Sequence, residues 1–152
     1  MKKALIVYDT TFGNTKMLAE MIGAGIEESQ DVSCVIIHHK ELLPENVTES
    51  DIVLFGSPIH AGMATHGIKS AIKKAASVGL RNKLVSTFDT YASVTKGRGV
   101  RNMESILTKV AADTRLITPG HSALVHGFRG PLHESEEQRA NDFGRRIAKE
   151  LQ

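Results

Sequence analysis

Short runs of uninterrupted apolar residues recur along the chain, separated by longer stretches in which apolar residues return every three or four positions. The runs are Ala4-Leu5-Ile6-Val7, Val32 to Ile37, Asp51-Ile52-Val53-Leu54-Phe55, Lys83 to Phe88 and Thr114 to Thr118. Their length and β-branched content predict five strands. Asp51 to Phe55 shows no polar–apolar alternation, as expected of a strand covered on both faces. The fifth run breaks at Pro119-Gly120 and resumes from Ser122 to His126. Between the runs the period changes to that of a helix. Lys16 to Glu28 carries Leu18, Met21, Ile22 and Ile26 on one face. Ile68, Ile72, Ala75 and Ala76 line a helix that stops near Gly79, a good C-cap. Val100, Met103, Leu107, Val110 and Ala111 line the next. Ala140, Phe143, Ile147, Ala148 and Leu151 line the last, which Ser135 and Gln138 begin at capping-box spacing. The polar stretch His38 to Ser50 contains Pro44 and predicts a loop with at most one helical turn.

Alternating strands and helices predict an α/β fold: a doubly wound five-stranded parallel sheet with helices on both faces. The 152 residues fit a single domain spanning 1–152. Ligands of such sheets bind beyond the carboxyl ends of the strands. Three segments share that rim: Thr10 to Thr15, Ser57 to Ala64, and Phe88 to Thr95.

Composition narrows the picture only modestly. With 41% hydrophobic and 24% charged residues, the chain reads as globular. No apolar run reaches membrane-spanning length and no signal-peptide pattern opens the chain, so a cytoplasmic protein is expected. A single cysteine, Cys34, excludes an internal disulfide framework and reads as a packed thiol. A net charge of +2 gives no reason to invoke nucleic acid. Of the seven histidines, His38 and His39 are adjacent, and no pair sits four apart on a predicted helix with acidic companions. No metal site is expected from them. Met17 and Met21 read as core filler on the first helix.

The chemistry is concentrated in Thr10-Thr11-Phe12-Gly13-Asn14-Thr15, a hydroxyl-rich turn from strand into helix. Free N–H groups and the positive end of the helix dipole make such a turn an anion site. Here the expected guest is a phosphate monoester. Gly13-Asn14-Thr15-Lys16 lacks the spacing of a nucleotide-binding P-loop. A phosphoacceptor receiver needs an aspartate ending the third strand, where Ser57-Pro58 stands instead. Gly97, Gly99 and Asn102 do not complete a dinucleotide fingerprint.

With these residues in hand, the chain resembles the flavodoxins, specifically the short-chain kind, and the flavodoxin-like domains of flavodiiron proteins. The resemblance covers essentially the whole chain. Its anchor is the family's Ser/Thr-x-Thr-Gly-x-Thr loop, matched here with Phe12 in place of the middle threonine. Gly56-Ser57-Pro58-Ile59-His60-Ala61-Gly62 and Phe88-Asp89-Thr90-Tyr91-Ala92 fall at the family's two flavin-flanking loops. The resemblance implies strand order 2-1-3-4-5, noncovalent FMN and one-electron transfer between redox proteins. It implies a cofactor site built from Thr10, Thr11, Phe12, Gly13, Asn14, Thr15, Pro58, Ile59, His60, Ala61, Gly62, Phe88, Asp89, Thr90 and Tyr91. Tyr91 is the expected wall on one ring face; Ile59, His60 and Met63 are offered for the other, in a chain without tryptophan. Asp89 either bonds the flavin or caps a turn. Lys96, Arg98 and Arg101 cluster at the start of a helix and are read as docking an acidic partner, as attracting an anionic substrate such as a nucleotide phosphate, or as a solvated loop. Two alternatives remain: a flavodoxin-like FMN-dependent oxidoreductase of quinone reductase or protoporphyrinogen oxidase type, and a module that has lost FMN.

Overall fold

In the computed structural model, which describes residues 1–151, the apolar runs are strands, and the central ones, at Ala4–Val7, Ile52–Phe55 and Leu84–Phe88, are covered on both faces. The strands are β1 (Lys2–Tyr8), β2 (Val32–His38), β3 (Ile52–His60), β4 (Met63–Ala64), β5 (Leu84–Tyr91), β6 (Arg115–Leu116) and β7 (His121–Leu124). The helices are α1 (Asn14–Glu27), α2 (Pro44–Thr48), α3 (His66–Val78), α4 (Arg98–Val110) and α5 (Glu136–Glu150). Pairing runs β2-β1-β3-β5, and β6 and β7 share the edge beside β5. All these pairings are parallel, so the expected five-position order holds, with the fifth position split. The split falls at Pro119-Gly120, where the sequence places its break.

Side chains alternate between two cores. Ala4, Ile6 and Tyr8 of β1 join Leu54, Phe88 and Ala123 beneath α1 and α5. Leu5 and Val7 turn the other way, with Val53, Phe55 and Val85, beneath α3 and α4. The α1–α5 crossing is unusually close. A Cβ on Gly25 would lie 2.2 Å from the Asn141 carbonyl oxygen, and one on Gly144 would lie 2.2 Å from that of Ile22. Backbone therefore meets backbone at that crossing.

Several local expectations are revised. β3 does not end at Ser57-Pro58 but runs on to His60 and turns back as the antiparallel β4. Asp9 donates its N–H to Gly56 O at 3.0 Å, which marks the last contact between the β1 exit and β3. Pro58, two residues on, faces the side that β1 has vacated, where no ladder donor is needed. The His38–Ser50 stretch holds a 3₁₀ turn at His39–Glu41 and then α2. Met17 and Val110, read as buried, are 48% and 41% exposed. The Ser135–Gln138 capping box does not form; the Ser135 hydroxyl is 2.8 Å from His133 Nδ1. The buried Glu136 carboxylate instead accepts the Leu124 N–H and pairs with Arg139 at 3.0 Å. Gly79 caps α3 as expected, its N–H donating to Ala75 O. No helix among the described residues is long and apolar enough to cross a membrane.

Candidate functional site

The turn between β1 and α1 is held by its own short side chains. Thr10 N–H donates to Asp9 Oδ1 at 2.8 Å, and Gly13 N–H to Thr10 Oγ1 at 2.9 Å. Gly13 precedes α1 with φ 93°, a left-handed conformation that L residues resist. No atom lies within 4 Å of where its Cβ would be, so conformation rather than space calls for glycine there. The N–H groups of Thr11, Phe12, Asn14 and Thr15 have no acceptor among the described residues. Four free donors at the start of a fourteen-residue helix form an anion nest. Thr15 is buried, its hydroxyl 3.0 Å from that of Thr90, which fastens the nest to the end of β5.

A cavity of about 340 Å³ opens beside this nest. The nest contributes Thr10, Thr11, Phe12, Asn14 and Thr15; the β3 end and its turn contribute Pro58, Ile59, His60, Ala61 and Gly62; β5 contributes Thr90 and Tyr91. His60 Nε2 lies 3.0 Å from Thr11 Oγ1, joining two of the three segments. Ala61 and Gly62 both have positive φ, 52° and 76°, the pattern of a tight two-residue hairpin turn. An alanine there is strained, and such strain at a cleft edge marks a site held for use.

Three sequence-predicted residues, Gly13, Phe88 and Asp89, stand outside the cavity wall. Phe88 is fully buried in the α1–α5 core, its ring filling the space that Gly56 leaves; a Cβ on Gly56 would lie 2.0 Å from it. Asp89 is also fully buried, and of its two readings the structure shows the capping one. Its Oδ2 accepts the Val100 N–H at 2.9 Å and its Oδ1 accepts the Ser122 hydroxyl. Burial pushes its carboxyl up to about 6, against the opposing pull of Ser122, the Val100 and Gly99 amides and Arg101. Gly13 shapes the nest without lining the cavity.

Ala92, Ser93 and Thr95, within the expected rim segment, also line the cavity, and Val125 and Phe128 do so without having been read from the sequence. Phe128 is 81% exposed and meets Phe12 edge to face at 5.4 Å. The Arg129 guanidinium sits 5.6 Å over the Phe12 ring, and Asn14 Nδ2 donates to Arg129 O at 2.9 Å. Phe12 thus ties the nest to the 126–131 loop. The available signal was a lone aromatic between Gly127 and Gly130, just past the fifth strand on the same rim.

Beside the nest the structure brings Asp9 up to the adjacent His38 and His39, a cluster that the histidine spacing did not lead one to expect. His38 Nε2 is 3.4 Å and His39 Nε2 3.7 Å from Asp9 Oδ1. His38 Nδ1 accepts the Lys40 N–H, so its neutral ring carries the proton on Nε2, facing the carboxylate. That tautomer suits a hydrogen bond rather than a metal. His133 repeats the arrangement, accepting the Ser135 N–H at Nδ1 beside Glu134 and His126. Burial holds His39 below the ordinary imidazole range, outweighing Asp9. Cys34 is partly buried beside the α1–α5 core, and burial with the nearby Glu27 pushes its thiol up to about 12. The basic trio divides. Arg98 reaches the turn between β3 and β4, with Nη1 3.2 Å from where a Gly62 Cβ would stand, while Lys96 and Arg101 line a hollow at the sheet edge.

Comparison with known proteins agrees with this geometry. A family model described as a flavodoxin domain matches residues 5–118. Over 99% of its length the chain is 32% identical to the type A flavoprotein fprA of Rhodobacter capsulatus, of which it spans 33%. Over 97% it is 27% identical to a flavodoxin of Aquifex aeolicus, covering 86% of that protein. Among solved structures, an archaeal flavodoxin superposes with a TM-score of 0.84 over 98% of both chains, at 21% identity. Flavodoxin 2 of Bacillus cereus in its oxidised form gives 0.81 over 97% of this chain and 99% of that one, at 19% identity. With a family model spanning most of its length, an α/β sheet wound in the same way and an anion nest ending its first strand, this chain belongs to the flavodoxin family.

Proposed function

We propose that the chain binds FMN noncovalently and carries single electrons between redox proteins. The observation that carries this reading is the nest: four N–H groups without acceptors among the described residues, no lysine or arginine lining the cavity, and that cavity opening at its edge. Oriented dipoles and hydroxyls suit a phosphate monoester at the end of a flat, largely apolar ligand. The residues present fit FMN on that ground. Bound FMN would supply the one-electron chemistry, and the protein supplies position and electrostatics.

Thr10, Thr11, Phe12, Gly13, Asn14 and Thr15 hold the phosphate. Pro58, Ile59 and His60 flank one face of the ring and Tyr91 the other, an arrangement in which tyrosine contributes a stacking surface. Ala61 and Gly62 present backbone at the ring edge. Thr90 anchors the nest through Thr15, and Phe88 and Asp89 support the site from behind. Arg98 is the member of the basic trio that an acidic redox partner meets at the cleft.

The test is direct. The purified protein should carry a visible flavin spectrum, or bind added FMN one to one, and stepwise reduction should pass through two separable one-electron stages. Colourless protein that fails to take up FMN overturns the reading in favour of a flavin-free module. The likeness to the type A flavoprotein calls for one control. NAD(P)H consumption with a quinone and no added reductase would assign an oxidoreductase instead.

A further inference from the structure

β7 forms the open edge of the sheet, and its first residue, His121, lies between α4 and α5. Two adjoining hollows flank it, of about 610 and about 300 Å³. Pro119, Gly120, His121 and Arg139 line both; Lys96 and Arg101 line the larger, Arg146 the smaller. Lys96, Arg101 and Arg146 have no carboxylate partner within salt-bridge distance among the described residues; Arg139 alone is paired, with Glu136 at 3.0 Å. Two acids also line the hollows, and Glu104 lies near enough to Arg101 to feel its charge. Glu104 accepts the Gly120 N–H at 2.9 Å, and Asp142 is engaged by Gln138 and Arg145.

At the floor, His121 is more than nine-tenths buried and stacked on Phe143, with ring centroids 5.2 Å apart. The Arg146 guanidinium lies over Phe143 at 5.3 Å. His121 Nε2 has no hydrogen-bond partner, one of two such buried side-chain atoms among the described residues. Burial and the charges of Arg139, Arg146 and Lys96 push this imidazole down to about 4, so it is neutral at pH 7. Arg101 and Arg146 donate only to backbone carbonyls, of Lys96 and Pro119, so cations without carboxylate partners gather around a buried polar atom that also lacks one, a setting that suits an anionic guest.

We propose that this edge groove is a second, flavin-independent site that binds a small polyphosphate: a diphosphate group, either free or carried by a nucleotide. Arg101 and Lys96 meet it from the α4 side and Arg146 from the α5 side, while His121 bonds from the floor. With the proton on Nε2, a donor set this deep favours a compact anion that enters the hollow over a protein face laid across it. Two hollows sharing one wall favour two linked phosphoryl groups over one.

Titration of the full-length chain with inorganic diphosphate, and in parallel with ADP, tests this by calorimetry and by the NMR signals of the His121 ring. Saturable binding is expected to shift those signals. It should also raise the pH at which the ring titrates, since the anion offsets Lys96, Arg101, Arg139 and Arg146, which outnumber Glu104 and Asp142 there. Arg101→Gln and Arg146→Gln should each weaken binding about tenfold or more and leave the flavin spectrum unchanged. Lys73→Gln, on the exposed face of α3, should change nothing. Arg139 is spared because its loss would strand the buried Glu136. Tighter binding of ADP than of diphosphate assigns a nucleotide, and equal binding a free polyphosphate. Failure of both to saturate overturns the site. So does equal weakening by Lys73→Gln, and so does an Arg101-dependent complex with a glutamate-rich peptide when diphosphate does not bind, which would make the groove a protein-docking surface.

Discussion

At Gly13 and Thr15 the loop's chemistry reduces to one backbone angle and one hydroxyl. Gly13→Ala should cost the flavin-free protein about 1 kcal/mol in urea unfolding, because the left-handed conformation is unfavourable for alanine while no neighbour obstructs its methyl. The same variant should bind FMN more weakly, as the nest relaxes to relieve that strain. Thr15→Val keeps the shape but breaks the 3.0 Å hydroxyl pair with Thr90, and should cost about 1 kcal/mol. Cys34 offers a separate check. With its thiol pushed up to about 12, alkylation at pH 8 should run at least about a hundredfold slower in the native protein than in urea. Fast native labelling would contradict its packed placement. The nest was legible in the sequence because all its residues are local. Phe88 was misplaced because nearness to a strand end says nothing about which face the side chain takes; at that position it turns into the core opposite Gly56. Phe12 reads in sequence only as a missing hydroxyl, since its partners Phe128 and Arg129 lie in a loop that only the fold brings near.

Among the elements, the strands were legible wherever both faces are buried, since an unbroken apolar run is then required. Their ends were not. Ser57-Pro58 has the composition of a break, yet β3 continues through it, because β1 has already left that side of the ladder and a proline there forfeits nothing. The Ser135 cap failed for a competing reason: His133 takes its hydroxyl, while Glu136 in the first turn accepts the Leu124 N–H and ties α5 to β7. The α1–α5 crossing invites a paired measurement. Gly144→Ala should destabilise the protein by about 2–3 kcal/mol, because its methyl meets the Ile22 carbonyl, which belongs to a rigid helix. Gly23→Ala, on the same α1, meets side-chain atoms rather than backbone, the tip of Ile36 at 2.9 Å and Cys34 Sγ at 3.3 Å. A small rotation of Ile36 relieves the closer contact, and the gain in helix propensity of about 1 kcal/mol should make this change near neutral. Equal effects of the two would refute backbone contact as the reason for Gly144.

Across the whole molecule, two buried groups make stability depend on pH in opposite senses. Asp89 titrates near 6 in the folded chain against about 3.8 unfolded, so the folded state holds the proton more tightly and stability falls as pH rises between those values. His121 titrates near 4 folded against about 6.5 unfolded, so stability rises over nearly the same window. The wild-type curve should therefore be flatter there than either group alone would make it. Asp89→Asn should uncover a rise between pH 4 and 6.5, and His121→Asn a fall between pH 4 and 6, each on the order of 2 kcal/mol by urea midpoints. Curves that do not diverge would show that these groups are more hydrated than their burial indicates. Neither effect was legible in the sequence, because Asp89 and His121 owe their environments to α4, α5 and the split edge strand. The α1–α5 crossing also has a bearing on biosynthesis. The apolar face of α1, with Leu18, Ile22 and Ile26, is completed by a helix that leaves the ribosome long after it. Nascent chains that stop short of Ser135 should keep that face uncovered and be held by chaperones, with compaction arriving late and all at once.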